Sequence, residues 1–455
     1  MKPFLRLTLV LLLLPVASIA VAASEFKAGT ARDRITPPLP FWLTGYASRT
    51  NPAATVNTEL WAKALALEDR QGHRLVIVTS DLIGLPREVS EAVADYALQK
   101  HRLPRSAILL NSSHTHSGPV VWPNLRIMFG FDAAETRHAE AYARSLILSL
   151  ITIVDAALTD LGPANLEVGH GTAGFAINRR QPTPQGVRIG QNPTGPVDHD
   201  VPVLKVTDRN AKLRAVLFGY ACHNTTLGGD FYQVDGDYAG AAQRLLESSH
   251  PGSTALFLML CGGDQNPHPR GTLAQVDQHG QELASVVEQV LTRPMAPVRS
   301  PIRTAWQEID LEFASHDRAV FEKETSDGSV FRRRRAQLML EAYDANRPVR
   351  RIPYPVQAAR LGNDLTFLAL GGEVVVDYAL RAKHEYPAEN LVVAGYCNDV
   401  PCYIASRRVL EEGGYEAVDS MIYYGQPGPL AEGVEETIFT AIRESLARVG
   451  ANPAR

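Results

Sequence analysis

Ala107-Ile108-Leu109-Leu110-Asn111-Ser112-Ser113-His114-Thr115-His116-Ser117-Gly118-Pro119 decides how the rest of the chain is read. Ala107 to Leu110 is a short, continuous apolar run, the pattern of a strand buried on both faces. It empties into a polar segment with two histidines two residues apart. In extended chain, residues i and i+2 project to the same side, so both imidazoles can enter one cavity. The ends of buried strands are where α/β proteins collect functional groups. Alone, the pair reads equally as two satisfied surface or core histidines.

Outward from this segment, apolar strand-like runs alternate with helical patterns. Leu75 to Thr79 precedes it and ends in Ser80-Asp81. A long helix is expected from Ala134 to Leu158, with Ala139, Ala143, Leu146, Leu150 and Ile153 at helical spacing. Strands are expected at Asn165 to Val168, Val201 to Val206, Leu213 to Tyr220 and Ala255 to Leu260, with helices at Ala239 to Ser248 and Leu273 to Leu291. A weak boundary lies at Pro294 to Pro301. Beyond it come a strand (Arg303 to Phe313), a helix (Ser329 to Asn346), and a hairpin turning at Gly362-Asn363-Asp364. A strand at Leu391 to Ala394 and a closing helix from Glu432 to Val449 complete the pattern. The expectation is an α/β protein: mixed β-sheets flanked by helices in one large catalytic domain, in one or two lobes.

The 455 residues are 45% apolar and carry a formal charge of −4 with mixed signs, so no nucleic-acid partner is expected. The basic run Arg332 to Arg335 reads as a solvated helix face before it reads as a binding patch. At the N-terminus, Lys2 and Arg6 precede the apolar run Leu7 to Val16, followed by Ala20-Val21-Ala22. That is the layout of a signal peptide over residues 1–22, with an exported unit at 23–455, periplasmic or secreted. A retained anchor is the alternative, weakened by the short run and by Pro15. No later segment reads as a membrane span. Of the four cysteines, Cys397 and Cys402 are close enough to pair after export, and Cys222 and Cys261 read as small buried hydrophobes.

Three more strand ends carry chemistry. Phe218-Gly219-Tyr220-Ala221-Cys222-His223 ends in a histidine that also fits a capping or core role. Leu368-Ala369-Leu370-Gly371-Gly372-Glu373 ends in a carboxylate, read either as a ligand or as an acid starting a helix through Tyr378 and Arg381. Cys397-Asn398-Asp399-Val400-Pro401-Cys402-Tyr403 offers a phenol, an uncommon ligand that a nearby dication can deprotonate. Together, two imidazoles and two oxygen donors suit Zn2+, whose open position activates water and polarises a carbonyl, chemistry suited to amide or ester hydrolysis.

The His114-Thr115-His116-Ser117-Gly118-Pro119 stretch resembles the signature of neutral/alkaline non-lysosomal ceramidases. The resemblance continues, in order, at Asp33-Arg34-Ile35-Thr36-Pro37-Pro38, Gly45-Tyr46, Ile177-Asn178-Arg179, His223, Gly371-Gly372-Glu373 and the Tyr403/Tyr415 pair. It implies that His114, His223, Glu373 and Tyr403 hold Zn2+ and that His116 lies beside the metal or handles protons. Arg179 and Tyr415 would hydrogen-bond the substrate or its developing oxyanion. The family's Gly-Asp-x-Ser-Pro serine is replaced here within Gly262-Gly263-Asp264-Gln265-Asn266-Pro267. An amide is no nucleophile, so Asn266 excludes a covalent serine route there and keeps only a hydrogen-bonding role. The family's additional immunoglobulin-like C-terminal domain is not expected after Val449.

The implied activity is hydrolysis of an N-acyl, ceramide-like amide by zinc-activated water, within sphingolipid and lipid metabolism, with peripheral contact to membrane lipid. The alternatives are a zinc-dependent deacylase or esterase acting on another acylated compound such as a sugar, and a metal-binding homologue without catalysis.

Overall fold

The larger of two stacked sheets is mixed. Its order is Thr254–Met259, Leu213–Tyr220, Asp200–Asp208, Gly162–Thr172, Phe26–Arg34, Trp61–Asp69, Arg74–Ser80 and Ile108–Ser112, with Ala296–Val298 added beside Gly162–Thr172. Interior pairings are antiparallel, and the outermost pair at each end is parallel. The computed structural model describes residues 25–454, so the expected leader at 1–22 lies outside the described residues.

Alternation along these strands divides the core. Val76, Val78, Ile108 and Leu110 face the helices Arg87–His101 and Ala133–Thr159. Val216, Phe218, Ala255 and Phe257 face the helices Asp237–Ser249 and Leu273–Leu291. The intervening Leu109, Leu217, Leu256 and Leu258 point the other way, onto Leu361, Phe367 and Val392 of the second sheet. That sheet runs Ile302–Glu312, Arg351–Leu361, Leu365–Leu370, Leu391–Ala394, and the helices Val376–Glu385 and Val434–Arg448 cover its far face. The architecture is α/β/β/α, with helices outside two sheets.

The long helix starts where its sequence can satisfy its own end. The Asp132 carboxylate accepts from Ala134 and Glu135 N–H, and the Glu135 side chain returns to the Asp132 N–H. By length and composition alone this Ala133–Thr159 helix is long and apolar enough to cross a membrane, which corrects the reading that no later segment is. Here Leu146, Leu150, Ile153 and Val154 are buried against the sheet, as in the core helix of a globular domain.

The sheet curls until its two ends meet. Asn111, fully buried on the last strand, imitates a peptide group. Its Oδ1 accepts from Met259 N–H at 2.8 Å, and its Nδ2 donates to Met259 O at 3.1 Å and Gly395 O at 2.8 Å. This contact brings the segments after Ile108–Ser112 and after Leu213–Tyr220 to one place. Asn111→Leu strands those backbone groups in the core. It is expected to cost at least about 2 kcal/mol, read as a lower midpoint in chemical denaturation.

Two readings that the sequence left open do not hold. Cys397 and Cys402 do not pair; all four cysteines are free and buried. Cys397 belongs to the core between the sheets and Cys402 to the core beyond the second sheet, so their side chains occupy different layers. Glu373 does not start a helix. It lies in a two-residue strand, Glu373–Val374, parallel to Tyr403–Ile404, and the helix begins at Val376. Gly372 makes the turn possible with a φ of +75°: a Cβ there would lie 2.6 Å from Ile404 Cγ1.

Candidate metal centre

Each candidate ligand arrives from the end of a strand. His114 follows Ile108–Ser112 in the left-handed region, with a φ of +65°, its N–H bonded to Leu82 O at 2.8 Å. A non-glycine residue held there is locally strained, a feature that clusters at functional sites. His223 follows Leu213–Tyr220, anchored by its N–H to Gln265 O at 3.0 Å. Glu373 and Tyr403 are direct partners in the short parallel pair, so the register sets carboxylate and phenol side by side.

Both imidazoles are oriented by backbone. His114 Nδ1 lies 2.6 Å from Ile83 O and His223 Nδ1 lies 2.8 Å from Gly262 O. A carbonyl only accepts, so each Nδ1 carries the proton and each Nε2 presents a lone pair. Those lone pairs converge. His114 Nε2 is 2.9 Å and His223 Nε2 is 3.1 Å from the same Glu373 Oε2. His223 Nε2 is also 3.1 Å from Tyr403 Oη, and His116 Nε2 is 3.0 Å from His114 Nε2. A cation shared between them would satisfy acceptors this close, and the buried histidine group could hold a metal ion. The donor set of neutral nitrogens with anionic oxygens fits a divalent metal. One ring nitrogen from each of His114, His116 and His223 lies within 4.8 Å of the others, so His116 is close to the candidate ligands.

The electrostatics suit ligation. Burial, then the Arg179 charge, pushes His223 down to about 3, and burial with the neighbouring His114 and His223 holds His116 well below the usual imidazole range. Burial would raise Glu373, but His114 and His223 outweigh it and keep the carboxyl well below its ordinary value. Burial raises the Tyr403 phenol, against the pull of Arg179. Ligands must be deprotonated to bind metal, and the downward shifts of His223 and Glu373 favour that state.

Arg179 organises the second half of the site. It donates to Tyr403 Oη at 2.9 Å through Nη2, to Asn266 Oδ1 at 3.3 Å through Nη1, and to Glu416 Oε1 at 2.8 Å through Nε. Thr225 Oγ1 donates to the same Asn266 Oδ1 at 3.4 Å, so the Asn266 carboxamide turns its NH2 away from Arg179. Tyr415 stacks edge-on to Tyr403 with ring centres 5.5 Å apart, and Arg179 lies 5.7 Å above the Tyr415 ring. The eight residues singled out in the sequence therefore meet in one cluster.

Sequence reading missed three partners. Tyr424 donates to Glu373 Oε1 at 2.5 Å and Tyr396 to Glu373 Oε2 at 3.4 Å. Glu416 sits between Arg179 and Arg180, whose Nη1 is 2.6 Å from its Oε2. The adjacent pair Arg179-Arg180 was the available signal: two neighbouring guanidiniums inside a core demand a buried acid. Tyr424 and Tyr396 left no such trace, because buried tyrosines are ordinary. On the open side, His116 packs on the Tyr46 ring at 4.8 Å, and Gly45, with a φ of +93°, leaves no space for a Cβ, which would meet His116 Nδ1 at 2.5 Å.

Residues 26–284 match the family described as neutral/alkaline non-lysosomal ceramidase, N-terminal. The chain belongs to the neutral/alkaline non-lysosomal ceramidase family. Relatives include neutral ceramidase of Drosophila pseudoobscura pseudoobscura, 23% identical over 58% of this chain and 39% of that protein. Neutral ceramidase of Pseudomonas aeruginosa is 24% identical over 49% of this chain and 34% of its own length, and neutral ceramidase B of Dictyostelium discoideum is 25% identical over 50% and 33%. The chain thus matches a third to two fifths of the length of these relatives. In fold, this ceramidase-family chain is similar to the crystal structure of the Pseudomonas aeruginosa neutral ceramidase, with a TM-score of 0.71 at 16% identity over 94% of this chain and 75% of that one. A structure titled ceramidase complexed with C2 gives a TM-score of 0.72, also at 16% identity, over 95% and 76%. The family match ends at residue 284, whereas Glu373, Tyr403 and Tyr415 lie beyond it. For those residues the grounds are the geometry.

Proposed function

We propose that the unit spanning residues 23–455 is an exported, zinc-dependent amidohydrolase that cleaves the N-acyl bond of a ceramide-like lipid. The observation that carries this reading is the convergence of two oriented imidazole lone pairs and the Glu373 carboxylate, 2.9 and 3.1 Å apart, beside the Tyr403 phenol. His114, His223, Glu373 and Tyr403 would hold the ion. Two histidines with a carboxylate are a donor set that catalytic zinc sites use, and zinc is the metal this reading assigns. When bound, zinc supplies a Lewis acid for the carbonyl and brings the pKa of water toward neutrality.

The remaining steps belong to the protein. His116, neutral in its buried position, accepts a proton during attack and returns it to the departing amine nitrogen. Arg179, through its bond to the Tyr403 oxygen, favours the phenolate and fixes the phenol in place. Tyr415 and the outward NH2 of Asn266 are the donors placed for the tetrahedral oxyanion, each expected to contribute about 2–4 kcal/mol of barrier reduction. With asparagine at position 266, no side chain there forms a covalent intermediate, so water attacks directly.

The test is fatty-acid release from a panel of N-acyl substrates, ceramide included, by the purified chain. Turnover is expected to vanish with chelator, to return with zinc, and to be absent from His114→Ala. Stoichiometric zinc with no attack on ceramide overturns the substrate assignment and turns the search to acylated sugars and esters. Zinc without turnover of any acyl compound points to a homologue that binds metal and no longer catalyses.

A further inference from the structure

A cavity opens at the end of the fold opposite the metal centre. The parallel strands Arg74–Ser80 and Ile108–Ser112 run toward His114, and the cavity sits where they begin, roughly 20 Å back along Arg74–Ser80. Its volume is about 740 Å³, within the range of small-molecule sites. Four pieces of chain enclose it: the turn after Trp61–Asp69, the end of the helix Arg87–His101 with the loop that follows, the start of Ile302–Glu312, and the last turn of Val434–Arg448. Asp69 braces the wall. Its Oδ2 accepts from Ile302 N–H at 2.8 Å and its Oδ1 from His73 N–H at 2.9 Å.

Each piece contributes a cation. Arg74, Arg102, Arg303 and Arg448 line the cavity with His73 and His101, and among the described residues no carboxylate lines it. The acids within reach are engaged. Glu68 is shared by Lys27 at 2.8 Å and Arg74 at 2.7 Å, and Asp155 by Lys100 and His101, each at 2.5 Å. Asp69 serves His73 and three backbone N–H groups. Arg448 comes only within 3.9 Å of Glu444. Arg303 donates to Gly362 O at 3.3 Å and faces Arg360 across the strand pair, whose own acid is Glu389. Among the described residues, the exposed Arg102 meets no carboxylate. A concave wall of one sign concentrates ions of the other.

We propose that this cavity binds a soluble diphosphate, held between the arginines, with its organic group on the cavity floor. A guanidinium fork matches phosphate oxygens in pairs. A phosphate carries about −1.5 to −2 charges, so one cannot balance four guanidiniums and two can. The floor is apolar and buried, built from Leu103, Ala107 and Ile302, and it suits the uncharged part of a diphosphate ester. Nothing in this binding calls on the metal centre.

The experiment is titration calorimetry of the purified chain with ADP, with inorganic pyrophosphate and with inorganic sulfate as probes. ADP is expected to bind saturably at one site, pyrophosphate more weakly because it leaves the floor empty, and sulfate not measurably at the same concentrations. Affinity should fall as salt rises. Arg102→Gln/Arg303→Gln, two exposed positions, should melt as the parent does and bind ADP about 100-fold more weakly. His114→Ala, and the parent dialysed against chelator, should bind ADP as the untreated parent does. Absence of saturable binding by both ADP and pyrophosphate overturns the proposal. So does ADP binding that survives the arginine pair, or that is lost with His114→Ala and with chelator, since the probe would then sit at the metal centre. Equal affinity for ADP and sulfate overturns it as well, leaving only a general attraction for anions. Pyrophosphate bound as tightly as ADP sustains the diphosphate site and assigns it to the inorganic ion.

Discussion

Glu373→Gln is expected to yield a folded chain that neither holds zinc nor turns over an acyl substrate. Glu373 Oε2 faces both imidazole lone pairs at 2.9 and 3.1 Å, so it is the one candidate ligand in contact with both histidines. The amide keeps the shape but removes the charge, and it can aim an N–H at the lone pair the ion needs. The loss should exceed the roughly 10–100-fold that removal of an outer partner costs. Tyr424→Phe, which deletes only the 2.5 Å bond to Glu373 Oε1, should fall within that range and so calibrates the effect. Metal content by mass spectrometry and melting with and without chelator give the readout. The parent should lose stability on chelation, as binding linkage requires, and Glu373→Gln should melt alike in both conditions. A variant that retains stoichiometric zinc sinks the ligand assignment.

Glu416→Gln is expected to destabilise the fold by about 3–5 kcal/mol, the cost of leaving buried charge without its partner. The carboxylate receives Arg179 at 2.8 Å and Arg180 at 2.6 Å, and all three side chains are at least 95% buried. Arg180 retains Glu412, but Arg179 retains only the Tyr403 hydroxyl and the Asn266 amide oxygen. Activity should fall with stability, because Arg179 no longer has a fixed position. Burial would raise the Glu416 carboxyl, yet Arg179 and Arg180 outweigh it and the net shift is downward. A carboxyl lowered in the fold stabilises above its unfolded value, about 4.3, and that stability is lost as pH falls through the folded value. The gap in denaturation midpoint between parent and variant should therefore be full at neutral pH and shrink below about pH 4. A gap independent of pH would mean that Glu416 acts through packing and not charge.

What was legible in the sequence follows from how local each signal is. Leu213–Tyr220 and Leu391–Ala394 fall where their apolar runs begin and end, because a buried strand writes itself into consecutive residues. The His114, His223, Glu373 and Tyr403 set was visible through the repeated design of a strand ending in a donor, and the structure brings the four side chains together. The alternative reading of Glu373 as a helix-starting acid fails, since the short pair with Tyr403–Ile404 exists only once two segments 30 residues apart meet. The same limit hid Tyr424, Tyr396 and Glu416, whose partners are remote in the chain. It also misplaced Cys397 and Cys402, near in sequence but separated by the second sheet.

An open sheet ends in two rows of unpaired N–H and C=O groups, each a template for pairing with another chain. Here the end strands Ile108–Ser112 and Thr254–Met259 face each other, and the Asn111 carboxamide takes the place of a neighbouring peptide for Met259. The side chain that gathers the two halves of the metal centre thereby also occupies the N–H and C=O of Met259 at the end of one edge strand, so assembly of the site and capping of that edge position use the same amide.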